Sequence, residues 1–325
     1  MTGGPVIVTG AAGFIGMHVA ERLLDRGETV IGVDVFNDYY DPALKAARAA
    51  RLDGRPGFTM VRMDIADDAA MMELVRSSGA KRIVHLAAQA GVRYSIENPF
   101  AYQRSNLAGH LSVLEAARHN DVTHLVYASS SSVYGDRPLA GAGFKETDPV
   151  DAPVSLYAAT KRANELMSIS YAKLYKFPMS GLRFFTVYGP WGRPDMAYYG
   201  FTQKILNGEP IEVYGEGRMA RDFTYIDDIV DGIVGVLDHP PAAGGHEIYN
   251  IGDNDPVGLM DMITTLEAAI GREATKIMRP MQPGDVTATY ADIDKLTALT
   301  GYKPKVKLKE GLGRFAEWWP GFHGR

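Results

Sequence analysis

Val6-Ile7-Val8-Thr9 runs without interruption into Gly10-Ala11-Ala12-Gly13-Phe14-Ile15-Gly16. A buried strand that empties into a glycine-rich turn and then a helix leaves few folds open. Gly10 permits the tight turn, Gly13 lets a ligand's pyrophosphate approach the backbone, and Gly16 lets helix and strand pack closely. The helix start adds unpaired N–H groups and the positive end of a dipole. A second strand, Thr29–Val33, ends at Asp34, whose carboxylate suits the hydroxyls of an adenosine ribose and repels a 2′-phosphate. A glycine-rich turn with no ligand is the competing reading. The strand before it, the helix after it and the acid at the next strand end speak against that reading.

Apolar runs alternate with amphipathic stretches through the first half. Strands are expected at Val6–Thr9, Thr29–Val33, Phe58–Arg62, Arg82–Ala87, His124–Ala128 and Met179–Phe185, and helices at Ile15–Arg26, Ala69–Ser77, Asn98–His119 and Ser155–Lys176. Nearly all-apolar strands separated by helices predict a Rossmann-type, doubly wound parallel sheet in an α/β fold. After Phe185 the texture changes, and Tyr188–Asp195 is too rich in Gly and Pro for a regular element. Beyond it we expect a helix near Tyr199–Asn207, a strand near Ile211–Tyr214, a helix at Ile226–Leu237, a strand at Glu247–Ile251, and helices at Met260–Ile270 and Gly311–Trp318. The domain reading is a dinucleotide-binding unit over 1–185 with a return segment near 224–252, and a smaller α/β substrate lobe from 186–223 and 253–325.

Tyr157-Ala158-Ala159-Thr160-Lys161 places a phenol and an ammonium one helical turn apart. A free phenol, with a pKa near ~10, is a poor base at neutral pH. A neighbouring ammonium stabilises the phenolate and lowers that value. This spacing is common on plain helix surfaces. It gains weight from Ser129-Ser130-Ser131-Ser132, which follows an apolar strand at the carboxyl end where open α/β sheets bind ligands. A hydroxyl there can share a proton with a substrate alcohol while Tyr157 takes it.

The chain resembles the extended short-chain dehydrogenase/reductases that act on nucleotide sugars. The resemblance spans essentially the whole chain and rests on Gly10–Gly16, Asp34, Asp64-Ile65, His85–Ala88, Ser130 with Val133-Tyr134-Gly135, Tyr157 with Lys161, and Arg221-Asp222-Phe223. The stretch Arg183–Ala197 is most similar to UDP-glucuronate 4-epimerases. That likeness implies NAD as a tightly held cofactor, with Tyr157 as base at the sugar O4, Lys161 tuning it and Ser130 assisting. It implies a cofactor shell of Gly10, Gly13, Phe14, Ile15, Gly16, Asp34, Asn37, Asp64, Ile65, Leu86, Ala87, Ala88, Gln89, Asn106, Tyr188 and Arg193 besides Tyr157 and Lys161. It places Ser130, Ser131, Ser132 and Thr186 around the sugar carboxylate. Arg221 falls on the diphosphate, Asp285 on the uridine ribose, and Val213-Tyr214 on the uracil. It also implies a homodimer built on the helices of 98–119 and 155–176. Two departures stand out: Gln282 replaces an arginine of many relatives, and Gln89 replaces a lysine of galactose-type epimerases.

The activity this implies is inversion at C4 of UDP-glucuronate, giving UDP-galacturonate through a 4-keto sugar. Dehydratase relatives carry Asp-Glu where Ser131-Ser132 stand, and decarboxylating relatives carry Glu at Ser132; this chain has neither. Epimerisation of neutral UDP-hexoses is the alternative, followed by a reductase or dehydratase, and then by a catalytically silent NAD-binding module. A net charge of −5 argues against nucleic-acid or anionic-membrane partners. The absence of cysteine excludes disulfides and thiolate metal sites, and the histidines lack metal-ligand spacing. His85 is read as a core residue, Trp318-Trp319 as lobe packing, and the lysines of 303–309 as a solvated strand or helix start. No leader or long apolar span is apparent, so a cytoplasmic protein is expected.

Overall fold

Parallel strands require crossovers, and this chain supplies a connection with helix after nearly every early strand. The structure, a computed structural model, describes residues 4–137, 142–282 and 284–324. Residues 1–3, and Pro283 in the segment that carries Asp285, lie outside them. The strands are β1 (Val6–Thr9), β2 (Val30–Asp34), β3 (Phe58–Arg62), β4 (Arg82–His85), β5 (His124–Ser130), β6 (Met179–Phe184), β7 (Thr186–Tyr188), β8 (Ile211–Val213), β9 (Ala220–Tyr225), β10 (His246–Ile251), β11 (Pro256–Gly258) and β12 (Lys276–Met278). The helices are α1 (Phe14–Asp25), α2 (Pro42–Leu52), α3 (Asp68–Ser78), α4 (Tyr94–Glu97), α5 (Pro99–Tyr102), α6 (Gly109–His119), α7 (Leu156–Tyr175), α8 (Ala197–Asn207), α9 (Ile226–Leu237), α10 (Leu259–Ile270), α11 (Asp294–Thr300) and α12 (Leu308–His323).

The main sheet is seven-stranded in the order β10-β6-β5-β4-β1-β2-β3. Every pairing in it is parallel, so all seven carboxyl ends share one edge. The strand order reverses between β1 and β4, which opens a crevice beyond their carboxyl ends. Ile7 sits opposite both Ile31 and Ile83, and the whole of β1 is buried. Burial on both faces explains why these strands read as apolar runs. One apolar cluster joins β1, α1, α9 and the C-terminal helices, and a second fills the other face with Val75, Leu114 and Leu125 among its members.

The remaining strands form two small sheets, β11-β9-β7 and β12-β8. The chain leaves the main sheet at Phe184, returns through β10 beside β6, and leaves again. Asp222 staples the return. Its fully buried carboxylate accepts N–H bonds from Asp253 (2.6 Å), Asn254 (3.1 Å) and Ala291 (3.0 Å).

The structure departs from the sequence expectations in several places. Asn98–His119 is not one helix: a π-helical stretch, Gln103–Ala108, separates α5 from α6. A short strand, β7, lies ahead of the Gly/Pro-rich segment and takes in only its first residue, Tyr188; it is held by parallel pairing to β9. β9 was not anticipated, because Arg221-Asp222 interrupts its apolar pattern; its charges point into polar networks. α2 was missed because its buried face carries Lys45 and Arg48 beside only Leu44 and Leu52. The lysines of 303–309 are exposed and lead into the start of α12, as expected; in addition Lys305 pairs with Asp231 (2.7 Å) and Lys307 with Asp253 (3.1 Å), while Asp228 accepts the N–H groups of Lys305 and Val306. Trp318 and Trp319 pack into an aromatic cluster with Tyr199, Phe315 and Phe322.

Buried histidines couple this fold to pH. His124 sits between the Leu237 carbonyl (3.0 Å) and Ser180 (3.0 Å), and His85 bonds Thr9 Oγ1 (2.7 Å). Burial holds His85 down to about 3 and His124 to about 4. Both folded values lie below the unfolded value near ~6.5, so the unfolded chain binds more protons in between and stability falls on acidification. Urea unfolding at about pH 5 should show roughly 2 kcal/mol less stability per buried histidine than at about pH 7. Equal stabilities at the two pH values would contradict this coupling.

Candidate functional site

A cleft of about 420 Å³ lies over the carboxyl ends of β1, β2, β4, β5 and β6, and the lobe loops wall its far side. Its floor is the turn from β1 to α1. Gly10 takes φ 74°, and a Cβ on Gly16 would sit 2.0 Å from the Gly10 carbonyl oxygen. Glycine is therefore dictated by contact at both positions. The first turn of α1, Phe14-Ile15-Gly16, faces the cleft with N–H groups that a helix cannot satisfy internally. No acidic residue stands in the first turn of this helix to offset the positive end of its dipole.

Asp34 lines the cleft and also braces its floor. Its carboxylate accepts from Ala12 N (3.1 Å) and Phe36 N (2.8 Å). Lys45 of α2 lies 3.9 Å from Asp34 and donates to the Asn37 side-chain oxygen. Burial pulls the Lys45 ammonium down, opposed by Asp34. Asp64 and Ile65 border the same end, although Asp64 already accepts from Ala66 N (2.9 Å) and Arg104 Nε (2.8 Å). Leu86, Ala87, Ala88 and Gln89 line the middle, where Thr9 Oγ1 accepts from Ala87 N (3.1 Å).

Asn106 stands behind this wall and not in it. Its side-chain oxygen accepts from Gln89 N (2.8 Å), and its two N–H bonds go to Gln89 O and Thr160 Oγ1 (both 3.0 Å). Both donors are spent on the protein, so Asn106 shapes the 86–91 loop from within the π-helical stretch. π-Helical turns often mark such sites. Tyr188 is a further correction. It is fully buried against Tyr198, Phe223 and Tyr225, away from the cleft.

Helix α7 delivers the phenol and the ammonium together. Ser155 caps it through Ala158 N (3.1 Å), which orients the first turn. Tyr157 and Lys161 both line the cleft, beside Ser130, Ser131 and Ser132 at the end of β5. Ser130 donates to Ser132 Oγ (3.1 Å) and accepts from Ser132 N (3.2 Å), which locks the serine turn. The Tyr157 phenol does not follow the sequence expectation of a lowered pKa. Burial raises it, opposed by the Ser130 hydroxyl and by the charge of Arg193. Lys161 donates to the Ala128 carbonyl (2.8 Å), and burial brings its ammonium down to about 8. Thr186 and Phe185 complete this region from the strand that leaves the sheet.

Loops that follow β6 close the cleft with polar contacts. Arg193 is held in a two-pronged pair by Asp195, which also accepts from Tyr39 (3.2 Å) of the β2–α2 loop. Arg221 lines the far end and donates to the carbonyls of Ala220 (2.8 Å) and Val286 (2.8 Å). Burial lowers its guanidinium, the direction an unneutralised site gives. Asp285 lines this end too and accepts from Arg93 (3.3 Å). Val213 and Tyr214 are not part of the lining. Val213 is buried in β8, and Tyr214 lies under the Arg93 guanidinium (5.1 Å) with its hydroxyl on Glu212.

Sequence reasoning missed Tyr39, Lys45, Arg93 and Arg48. Arg48 is fully buried and donates to the carbonyls of Trp191 (2.6 and 2.9 Å) and Gly192 (2.8 Å) and to Tyr40 (2.6 Å). Trp191 adopts φ 63° in the loop whose carbonyl Arg48 engages. The available signal was Asp41-Pro42, a cap followed by a first-turn proline. The glycine contact gives a direct test. Gly16→Ala should destabilise the fold by about 1–3 kcal/mol and lower dinucleotide content at least about tenfold, read by melting and by nucleotide release. Full dinucleotide retention would contradict the contact.

The family profile that matches describes the NAD dependent epimerase/dehydratase family and covers residues 6–252. The chain is 48% identical over 329 residues to a probable UDP-glucuronate 4-epimerase of Rhizobium meliloti, covering 96% of each protein. It is 46% identical to UDP-glucuronate 4-epimerase 3 of Arabidopsis thaliana, covering 98% of this chain and 77% of that one. A crystal structure of the Bacillus cereus UDP-glucuronic acid 4-epimerase with UDP-glucuronic acid and NAD superposes with a TM-score of 0.91. It shares 34% identity and covers 98% of this chain and 100% of that one. The matched profile spans the glycine turn, the serine run and the Tyr157–Lys161 helix, and the chain belongs to the NAD dependent epimerase/dehydratase family.

Proposed function

We propose that this protein inverts C4 of UDP-glucuronate to give UDP-galacturonate, with NAD as a catalyst regenerated in each turnover. One observation carries the reading. The cleft brings a phenol and an ammonium on one helix against a turn of hydroxyls, Ser130, Ser131 and Ser132, with no carboxylate in that turn. Hydroxyls can orient a sugar carboxylate and pass one proton. Eliminating water across C5–C6 needs an acid and a base there.

The floor of the cleft fits a dinucleotide. A Cβ on Gly13 would fall 2.9 Å from the Gly10 oxygen, and one on Gly10 would fall 2.9 Å from Ala87 N, so the turn that forms the cradle folds this tightly only because these residues lack side chains. The first turn of α1 suits the pyrophosphate, and the remaining acceptor capacity of Asp34 suits a ribose. Asn37, Asp64 and Ile65 would border the adenosine, and Leu86 to Gln89 the middle of the molecule. The chemistry supplied by bound NAD is reversible hydride transfer at C4. Tyr157 takes the O4 proton, and Ser130 shares it through its hydroxyl. Lys161 lends positive charge to that end of the cleft while its bond to Ala128 fixes its position. Ser131, Ser132 and Thr186 orient the C5 carboxylate, and Arg193 stands over the same region in its pair with Asp195. Arg221 and Asp285 receive the nucleoside diphosphate at the other end.

A homodimer belongs to this reading, supported by apolar side chains left in solvent. Phe100 is 80% exposed, and Leu166 and Leu174 stand eight residues apart on one face of α7. Light scattering should return twice 35.4 kDa. No helix among the described residues is long and apolar enough to cross a membrane. A cytoplasmic site of action is part of the proposal, supported by the absence of cysteine.

Tyr157→Phe should lower epimerisation by at least about a hundredfold and leave NAD content unchanged. Proton NMR of UDP-glucuronate mixtures reads this directly, and a fully active variant would remove Tyr157 from the role of base. The same assay with UDP-glucose separates the alternative. Turnover of UDP-glucose with none of UDP-glucuronate would make the protein an epimerase of neutral hexoses.

A further inference from the structure

Below the serine turn lies an ion pair that no step above uses. Glu165 is fully buried, and Arg183 is 2% exposed. The Arg183 guanidinium forks onto the carboxylate through Nε (2.8 Å) and Nη2 (2.9 Å), and Arg162 adds a third bond (2.9 Å). Glu165 sits two helical turns beyond Tyr157 on α7, and Arg183 lies opposite Ser129 in the β5–β6 register. Both ends of the serine turn are tied to this pair. Ser129 donates to Glu165 Oε1 (2.7 Å), and the Tyr134 hydroxyl accepts from Arg183 Nη1 (2.9 Å). Tyr134 also lies under the guanidinium at 4.8 Å. The turn Ser130–Val133 is therefore a bridge whose two abutments rest on one buried pair, and one member of that pair, Glu165, rides on the helix that carries Tyr157.

We propose that Glu165 and Arg183 are positioning residues that hold the serine turn in register with Tyr157 and thereby keep the substrate carboxylate from being lost as carbon dioxide. The inference rests on the UDP-glucuronate reading above. Once C4 is a carbonyl, the C5 carboxylate is β to it. If the C5–C6 bond aligns with the carbonyl π system it breaks, and its electron pair enters the C4 carbonyl to form an enolate. Carbon dioxide leaves, C5 takes a proton from water, and a UDP-4-keto-pentose remains; the cofactor's oxidation state is unchanged in that step. Alignment depends on where the hydroxyls of Ser131 and Ser132 sit, and a displacement near 1 Å matters at such a site. A buried ion pair is poor as a source of stability, because desolvation opposes its Coulomb gain. Apolar side chains would fill the space as well; they would not tie β5, the turn and α7 together through directed bonds.

Ser129→Ala and Tyr134→Phe each remove one abutment and leave the Glu165–Arg183 fork in place. Each should lower kcat on the order of tenfold with KM and NAD content within about twofold of wild type. Each should also raise the share of UDP-4-keto-pentose and carbon dioxide among products at least about fivefold, read by NMR and by trapped carbon dioxide. An unchanged product share in both variants overturns the inference, whether or not kcat or melting temperature falls, because a purely structural tie would move only those. Wild type run alongside separates the two claims. If wild type leaves UDP-glucuronate untouched, the functional reading fails together with the carboxylate clause. The kcat comparison is then made with UDP-glucose, where wild-type rates in both variants overturn the positioning role as well.

Discussion

One face of α7 carries Tyr157, Lys161 and Glu165 at four-residue steps, and each meets the end of β5 or the turn that follows it. Lys161 reaches the Ala128 carbonyl at 2.8 Å, Glu165 takes the Ser129 hydroxyl at 2.7 Å, and Tyr157 faces the cleft beside Ser130. A helix packed on a parallel strand ordinarily presents apolar side chains there. This one buries an ammonium and a carboxylate, with Ser168 below them. The sheet makes this tolerable. Parallel strands leave Ser129 and Arg183 side by side across β5 and β6, so the polar face of the helix meets polar partners. The geometry of the cleft follows from that contact, because the base and the hydroxyls it works with belong to elements joined through it.

Burial sets the electrostatics in a consistent direction. It raises the Tyr157 phenol and lowers the Lys161 ammonium to about 8, so each group is pushed toward its neutral form. A cation near the phenol acts against that push, and Arg193 supplies one from the lobe. Arg193 is itself held by Asp195, which accepts from Tyr39 on the opposite wall. The charge seen by the catalytic end of the cleft therefore depends on contact between the 191–195 loop and the β2–α2 region. Arg48 reinforces that contact by threading from α2 to the carbonyls of Trp191 and Gly192.

The parallel sheet was legible because its strands are buried on both faces and its helices carry apolar stripes. The glycine turn was legible because close backbone approach admits one residue type, and Gly10, Gly13, Gly16 and Asp34 lie where the spacing placed them. Elements whose buried faces are polar were not legible. α2 hides Lys45 and Arg48, β9 hides Asp222, and both look like surface segments in the sequence. The same blindness affected single residues. Asn106 reads as a ligand residue, yet both its side-chain donors are spent on Gln89 and Thr160; Tyr188 reads as a cleft residue, yet it is packed among other aromatics. A pattern shows that a polar residue matters. It does not show whether the residue points at a ligand or at the loop that holds one.

The hydroxyl-only turn at 130–132 and the charged pair beneath it answer two opposed demands. Chemistry at a sugar C4 needs groups that move one proton and do nothing to the neighbouring carbons, which favours serine over any acid. Serine hydroxyls are short and rotate easily, so by themselves they fix orientation poorly. Directed bonds from a buried guanidinium and carboxylate supply the rigidity the hydroxyls lack, and they do so from behind, where neither charge reaches the sugar. An acid in the turn itself, at Ser131 or Ser132, would have access to C5 and C6 and open the eliminations that the serines avoid. The placement of Glu165 under Ser129, and not among the serines, separates holding the substrate still from transforming it further.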